Sequence, residues 1–300
     1  NFFERSICPN VIFTLFGPSY WKPKAMHIMG LADGWVYNPD TLAYFNLSLY
    51  EKIIMRMKVF YKKYYIKRDS SCYILETDDA VSKMKNVLNK KNIKYFVVGN
   101  TFNHFFRESE YILSSNNLYI KLPKCQNKCF KFLYICHNHP SKNLSAIYSV
   151  AKKLIDENVQ FIVTIDNVSF VEIFSGLSNV VNIGPIDPGS CPSVYSQCDA
   201  IFAPTLLETF SAVYPESMKM DKPILTSDLS FAHDVCGDAA LYFDPLSEND
   251  MINKINNIIN NKDLYAMLIR KGRERLSEFE SAKSRAIKYV EILNMVSLGK

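Results

Sequence analysis

Two α/β domains, each a parallel sheet wound with helices on both faces, are what this sequence predicts, and three observations predict them. Short apolar runs rich in Val, Ile and Phe alternate with stretches of helical spacing over most of the chain. The length of 300 residues fits about two domains at ~150 residues each. A segment at 122–128 that carries neither pattern separates the halves. The expected organisation is therefore 1–125 as a first domain, 126–280 as a second, and 281–300 as a closing helix, with the two Rossmann-like domains facing across a cleft.

In order along the chain, 10–16 and 25–31 read as strands joined by a loop rich in breakers and aromatics. Such a loop at a strand's carboxyl end suits a substrate, and its Tyr20 and Trp21 are candidates to stack on a sugar face. Residues 42–65 have helical spacing, with Ile53, Met57, Phe60 and Tyr64 on one line and Lys52, Arg56, Lys62, Lys63 and Lys67 mostly on the other side. A core-packed helix with a solvated basic face and a membrane-surface helix both satisfy this pattern. A strand at 71–76 leads to Thr77, expected to cap a helix over 78–91. The acidic triplet Glu76-Thr77-Asp78 is accordingly read as capping chemistry rather than as a metal site.

A strand at 95–99 follows, and the second half continues with strands at 130–136, 161–165, 180–183, 199–204, 223–227 and 240–243. Its expected helices are 144–157 and 212–220, with closing helices at 247–260, 263–276 and 282–296.

The composition, 48% hydrophobic and 22% charged, supports ordinary cores and excludes a disordered chain. No apolar run approaches the ~18 residues of a membrane span, and no charged-then-apolar leader opens the sequence. The chain starts with Asn1 and enters a strand almost at once, so its first domain is expected to be incomplete at the N-terminus. The eight cysteines, in a chain too large to need disulfide stapling, are expected to be reduced thiols of a cytoplasmic protein. Cys125, Cys129, Cys136, His137 and His139 match no common zinc spacing, so no metal is expected. The net charge of +5 is uneven, residues 1–127 carrying +8 and the remainder −3. Without a recognition module beside it, that basic half does not imply nucleic acid as a partner.

The segment 199–228 carries the most chemistry. Its strand, polar turn, helix and strand form a βαβ unit, and ligands of such units sit outside the carboxyl ends of the strands, where Glu208, Thr209, Phe210 and Ser211 fall. The last three are expected at the helix's N-terminal end, which favours a phosphate or a sugar hydroxyl. Glu216, with seven residues between it and Glu208, lies about two turns further on, and a carboxylate can accept both hydrogen bonds of a sugar diol. Taken singly, Glu208 also reads as a helix-start acid and Glu216 as a surface residue.

Glu208-Thr209-Phe210-Ser211, Pro215-Glu216-Ser217-Met218, 221–228 and 236–245 together resemble the E-x7-E region of family 4 (group 1) retaining glycosyltransferases of the GT-B fold. The resemblance covers the second half almost throughout and the first half weakly, and it implies that the helix at 281–300 crosses back to the first domain. It implies transfer of a sugar from a nucleotide-diphosphate donor (UDP-, GDP- or dTDP-linked) to a saccharide acceptor with retention, with no metal and no cofactor besides this co-substrate. On it, Glu208 holds donor-sugar hydroxyls, Glu216 the ribose, Lys142 the diphosphate, and Gly184 lies where the base packs. The family's Gly-Arg is here Cys136-His137, so one phosphate contact is altered and His137 is its candidate replacement. The catalytic histidine common in the first domain has no counterpart near 31–33, where Asp33 is the nearest polar residue; Trp21 and Asp33 are the acceptor-side candidates. The resemblance to bacterial surface-polysaccharide (O-antigen, lipopolysaccharide) enzymes implies a lipid-linked acceptor and a peripheral site on the anionic inner face of the cytoplasmic membrane. A nucleotide-sugar epimerase on the same fold, and an inactive fragment that still binds donor, are the rival readings.

Overall fold

The apolar runs fold into parallel strands, and their alternate side chains supply two separate cores. The computed structural model describes residues 2–106, 118–123 and 129–298, so residues 124–128 of the expected linker, with Cys125, lie outside it. By contacts the chain forms two units: Asn1–Thr101 with Leu207–Phe210 and Phe279–Lys300, and Phe102–Leu206 with Ser211–Glu278.

The first unit begins with helix α1 (Phe2–Ile7) and strands β1 (Val11–Thr14) and β2 (Met26–Gly30). Helices α2 (Gly34–Tyr37) and α3 (Leu49–Asp69) precede β3 (Cys72–Leu75), and α4 (Asp78–Leu88) precedes β4 (Lys94–Val97). All four strands pair in parallel in the order β1-β2-β3-β4. Because successive strand residues point to opposite faces, Met29, Tyr73 and Leu75 join Val36, Ile66, Met84 and Leu88 on one side. Their neighbours Ile28, Cys72 and Ile74 meet Ile292 and Val296 of the C-terminal helix Ala282–Ser297 on the other.

Helix starts follow the capping rules. Ser48 and Glu51 form a reciprocal capping box at the head of α3. Thr77 accepts from the Ala80 amide at 3.1 Å, as expected, and α4 ends sooner than expected because Asn89 turns into the left-handed region at φ 39°. The orientation of α3 settles the ambiguity of its pattern. It buries Val59 and Ile66, whereas Ile53, Met57, Phe60 and Tyr64 are 53%, 67%, 77% and 57% exposed, which corrects the core-packed alternative for that line.

In the second unit, β5 (Phe130–Tyr134), α5 (Leu144–Lys153), β6 (Val159–Val163), α6 (Asn167–Phe174) and β7 (Val180–Asn182) alternate as expected. Then follow α7 (Cys191–Ser196), β8 (Ala200–Ala203), α8 (Val213–Lys219), β9 (Ile224–Ser227), α9 (Ser230–Cys236), β10 (Ala240–Phe243), α10 (Glu248–Asn260) and α11 (Lys262–Leu276). The parallel sheet runs β10-β9-β8-β5-β6-β7. Every residue of β8 and β9 is buried, the signature of strands covered on both faces. Phe132, Phe161, Phe202 and Phe243 interlock across this sheet with ring centroids 5.1 to 6.1 Å apart.

Cys72, Cys136, Cys191, Cys198 and Cys236 are buried free thiols. Burial pushes Cys72 up to about 11 and both Cys191 and Cys198 up to about 12, which keeps them in the unreactive thiol form. Cys129 is disulfide-bonded, correcting the expectation of reduced thiols throughout. Chain size bears on whether a fold needs a disulfide, not on whether a given pair of sulfurs meets. Among the described residues no helix is long and apolar enough to cross a membrane.

Candidate functional site

In the second unit the chain runs outward from β5 to β6 and β7, then returns to β8 beside β5 and runs the other way. The carboxyl ends of β5 and β8 therefore form the point where strand order reverses, the usual ligand position in an open parallel sheet. The turn that leaves β5 carries His137 and Lys142. His139 caps the single 3-10 turn Pro140–Lys142, its Nδ1 accepting from the Ser141 amide at 3.2 Å. The Ser141 carbonyl accepts from the Leu206 amide at 2.7 Å and the Thr205 hydroxyl at 3.0 Å, tying this turn to the one that leaves β8. Asn143 holds the far end in the left-handed region at φ 53° and donates to the Pro245 carbonyl at 3.2 Å. The backbone on either side of Lys142 is thus tied down, which fixes where its side chain starts. His137 is exposed, its ring centroid 5.7 Å from that of His139.

Glu216 sits on α8 and accepts a hydrogen bond from the Tyr195 hydroxyl at 3.2 Å. Burial pushes its carboxyl up to about 7, an effect the Tyr195 bond only partly offsets. A diol presented to it would add two donors to a carboxylate short of them. Gly184 follows β7 at φ 71°, and its amide donates to Asn182 Oδ1 at 3.2 Å; the backbone angle rather than crowding calls for glycine. α8 starts at Val213 after Ala212, and Pro215 in its first turn has no N–H. Thr209, Phe210 and Ser211 therefore lie ahead of the helix rather than in its first turn, and the Ser211 carbonyl is taken by the Tyr214 amide at 3.2 Å.

Residues 207–210, which include Glu208, pack with the first unit, whereas Glu216 belongs to the second. The Thr209 hydroxyl donates to Glu76 Oε2 at 2.8 Å, and Asn100 Nδ2 donates to Glu76 Oε1 at 2.8 Å. Burial raises the Glu76 carboxyl, the bonds from Thr209 and Asn100 and the Arg285 charge oppose this, and the Glu208 charge adds to it. Phe210 meets Phe279 edge to face at 6.0 Å.

The acceptor-side candidates are less engaged with this region. Asp33 caps α2 by accepting from the Trp35 amide at 3.2 Å and pairs with Lys62 at 2.6 Å. The Trp21 carbonyl accepts from Ser19, whose hydroxyl also lies 3.4 Å from Asp69, just ahead of β3. Trp21 therefore stands toward the amino ends of the strands, and its neighbour Tyr20 packs against Tyr61 and Tyr65 of α3. His27 is a satisfied core histidine, 2.8 Å from both Thr14 Oγ1 and the Asp69 carbonyl.

Sequence reasoning did not find Tyr195, Thr205 or Asn100, since a partner tens of residues away leaves no local pattern. Glu76 was visible only as part of a capping triplet. Thr77 performs the capping, and that leaves the partly buried Glu76 carboxylate for other partners.

The comparisons with known proteins bear on this geometry. Residues 124–275, more than half of the chain, match the family described as glycosyl transferases group 1. A sequence comparison with curated proteins finds no match. Among solved structures, sucrose-phosphate synthase from Thermosynechococcus elongatus is similar at 13% identity and a TM-score of 0.74, over 99% of this chain and 76% of that one. WaaG, a glycosyltransferase involved in lipopolysaccharide biosynthesis, is similar at 13% identity and 0.67, over 97% and 80%. TarM from S. aureus, solved with UDP and alpha-GlcNAc-glycerol, is similar at 18% and 0.64, over 90% of this chain but only 51% of its own length. At such identities the likeness concerns the fold, which is the GT-B arrangement of two Rossmann-like units expected from the sequence. The match that spans the second unit's strands, the Lys142 turn and Glu216 places the chain in the glycosyl transferases group 1 family.

Proposed function

We propose that this chain transfers a sugar from a nucleoside-diphosphate donor to a saccharide hydroxyl with retention at the anomeric carbon. The observation that carries the reading is Lys142, held at the switch point by the bonds that Ser141 makes to Thr205 and Leu206. As the bond from the anomeric carbon to the diphosphate breaks, the sugar becomes oxocarbenium-like and negative charge grows on the phosphate. An ammonium carried on that tethered turn meets the growing charge, and His137 at the mouth of the same turn can donate a further hydrogen bond. Because Lys142 fills this role, no divalent ion is required by the reading. Glu216 holds the ribose diol, Glu208 the donor-sugar hydroxyls, and the turn at Gly184 lies against the base. TarM, among the similar folds, was solved with UDP, which makes uridine donors the first to try.

The acceptor in this reading is lipid-linked, in the manner of surface-polysaccharide synthesis, and the chain works against the anionic inner face of a bacterial membrane. Support comes from α3, whose Ile53, Met57, Phe60, Tyr61 and Tyr64 are exposed beside Lys52, Arg56, Lys63 and Lys67. Apolar side chains that face away from the core next to basic ones suit an interface of lipid and water.

The deciding experiment incubates the protein with UDP-glucose, GDP-mannose and dTDP-glucose, with and without a saccharide acceptor, and follows products by NMR. Release of nucleoside diphosphate that depends on acceptor, with an anomeric linkage matching the donor's, is expected and should survive EDTA. A free epimerised sugar formed without acceptor would replace the transferase by an epimerase, and an inverted linkage would remove retention.

A further inference from the structure

The segment 207–210 has no helix or strand of its own, yet packing holds it at points on either side of Glu208. Leu207 lies against Gly34 so closely that a Cβ there would stand 3.0 Å from its side chain. Phe210 meets Phe279. The polar hold is Thr209, whose hydroxyl donates to Glu76 across 133 positions of sequence at 2.8 Å.

Both Glu76 oxygens are used, one by Thr209 and the other by Asn100, whose own Oδ1 accepts from the Thr101 amide at 2.9 Å. The capping of α4 does not need this carboxylate, since Thr77 supplies it. Glu76 follows the last residue of β3, at the carboxyl edge of the first sheet, where it is partly buried. The charged and titratable groups that act on it are Glu208 on the same segment as Thr209 and Arg285 on the C-terminal helix. Tyr37 on α2 and Tyr289 on the C-terminal helix in turn sense its charge.

We propose that Glu76 is a positioning residue of the transfer reaction, fixing through the Thr209 hydroxyl the turn that presents Glu208 to the donor sugar. The inference rests on the reading of Glu208 given above. Its physical basis is geometric: a group misplaced by about 1 Å can cost about 100-fold in rate, and a four-residue turn without internal structure depends on its anchors for that precision.

The test is a double-mutant cycle on the full chain, with UDP-glucose as the first donor assayed. Glu76→Ala and Thr209→Val should each lower kcat by roughly 10-fold to 100-fold, and the double variant should be no slower than the slower single, because both break the same bond from Thr209 to Glu76. The affinity for UDP alone, assigned to Glu216 and Lys142, should stay within about twofold of wild type; a purely structural defect would weaken it along with kcat. Thr209→Ser, which keeps the donor, should recover most of the turnover lost in Thr209→Val, and this pair carries the test should Glu76→Ala fail to fold. Effects of Glu76→Ala and Thr209→Val that multiply, or a folded Glu76→Ala with wild-type kcat, would overturn the role of Glu76. Glu208→Ala is assayed alongside: full turnover there removes the reading of Glu208 and the proposal with it. An inactive Glu208→Ala beside a fully active Glu76→Ala removes the positioning role alone.

Discussion

In its proposed role as the ribose ligand, Glu216 is pH-dependent, because burial pushes its carboxyl up to about 7 and the ionised form accepts the two hydrogen bonds of a diol better than the protonated one. Calorimetric titration with UDP should show affinity rising from pH 6 to pH 8. Glu216→Gln should bind more weakly by roughly 1.5 to 3 kcal/mol at the upper pH, the worth of hydrogen bonds to a charged group, and should lose most of the pH dependence. A wild-type affinity flat across that range would detach Glu216 from the ribose. In the proposed reaction Lys142 acts at the phosphate, so Lys142→Ala should lower kcat by roughly 100-fold or more while leaving affinity for uridine near wild type. Equal losses with uridine and with UDP would point to a folding defect instead.

At the scale of elements, α3 is the test case. Its capping box and its packing through Val59 and Ile66 stabilise it independently of the exposed stripe. Changing Lys52, Lys63 and Lys67 to Glu should therefore leave the melting temperature close to wild type while altering attachment to lipid. Each basic residue near an anionic surface is worth about 1 kcal/mol, so reversible binding to vesicles containing phosphatidylglycerol is expected, weakening with salt and in the triple variant. Lys62 is left out of that set because it pairs with Asp33. Co-sedimentation indifferent to lipid charge would return the stripe to another partner. On α4, removing the Thr77 hydroxyl should cost about 1 kcal/mol in denaturant unfolding, since it satisfies the Ala80 amide.

For the whole molecule, one buried and one partly buried group push stability in opposite directions with pH. Glu216 has its pKa raised from 4.5 to about 7, so the folded state holds a proton that the unfolded state releases, and stability falls as pH rises through that window. His27 is lowered, first by burial, so the unfolded state takes up a proton that the folded state resists, and stability falls as pH drops below about 6.5. A scan of melting temperature from pH 5 to pH 8 should show Glu216→Gln gaining on wild type as pH rises, and a constant difference would contradict the buried carboxyl.

The sequence by itself determined the alternation of strands and helices, the parallel sheets and the Thr77 cap, because these follow from side-chain periodicity and from contacts a few residues long. It also carried the spacing of Lys142, Glu208 and Glu216. The tertiary structure decided what those patterns left open. Helix α3 has apolar residues around much of its circumference, so periodicity could not choose between the side with Val59 and Ile66 and the side with Ile53, Met57 and Phe60; only the position of the sheet did. The bond from Tyr195 to Glu216, the disulfide at Cys129 and the bond from Thr209 to Glu76 were likewise absent from the local pattern. Closing a loop of more than a hundred residues is an entropic cost met by the packing of the entire unit, so no short stretch of sequence records which side chains will meet at its ends.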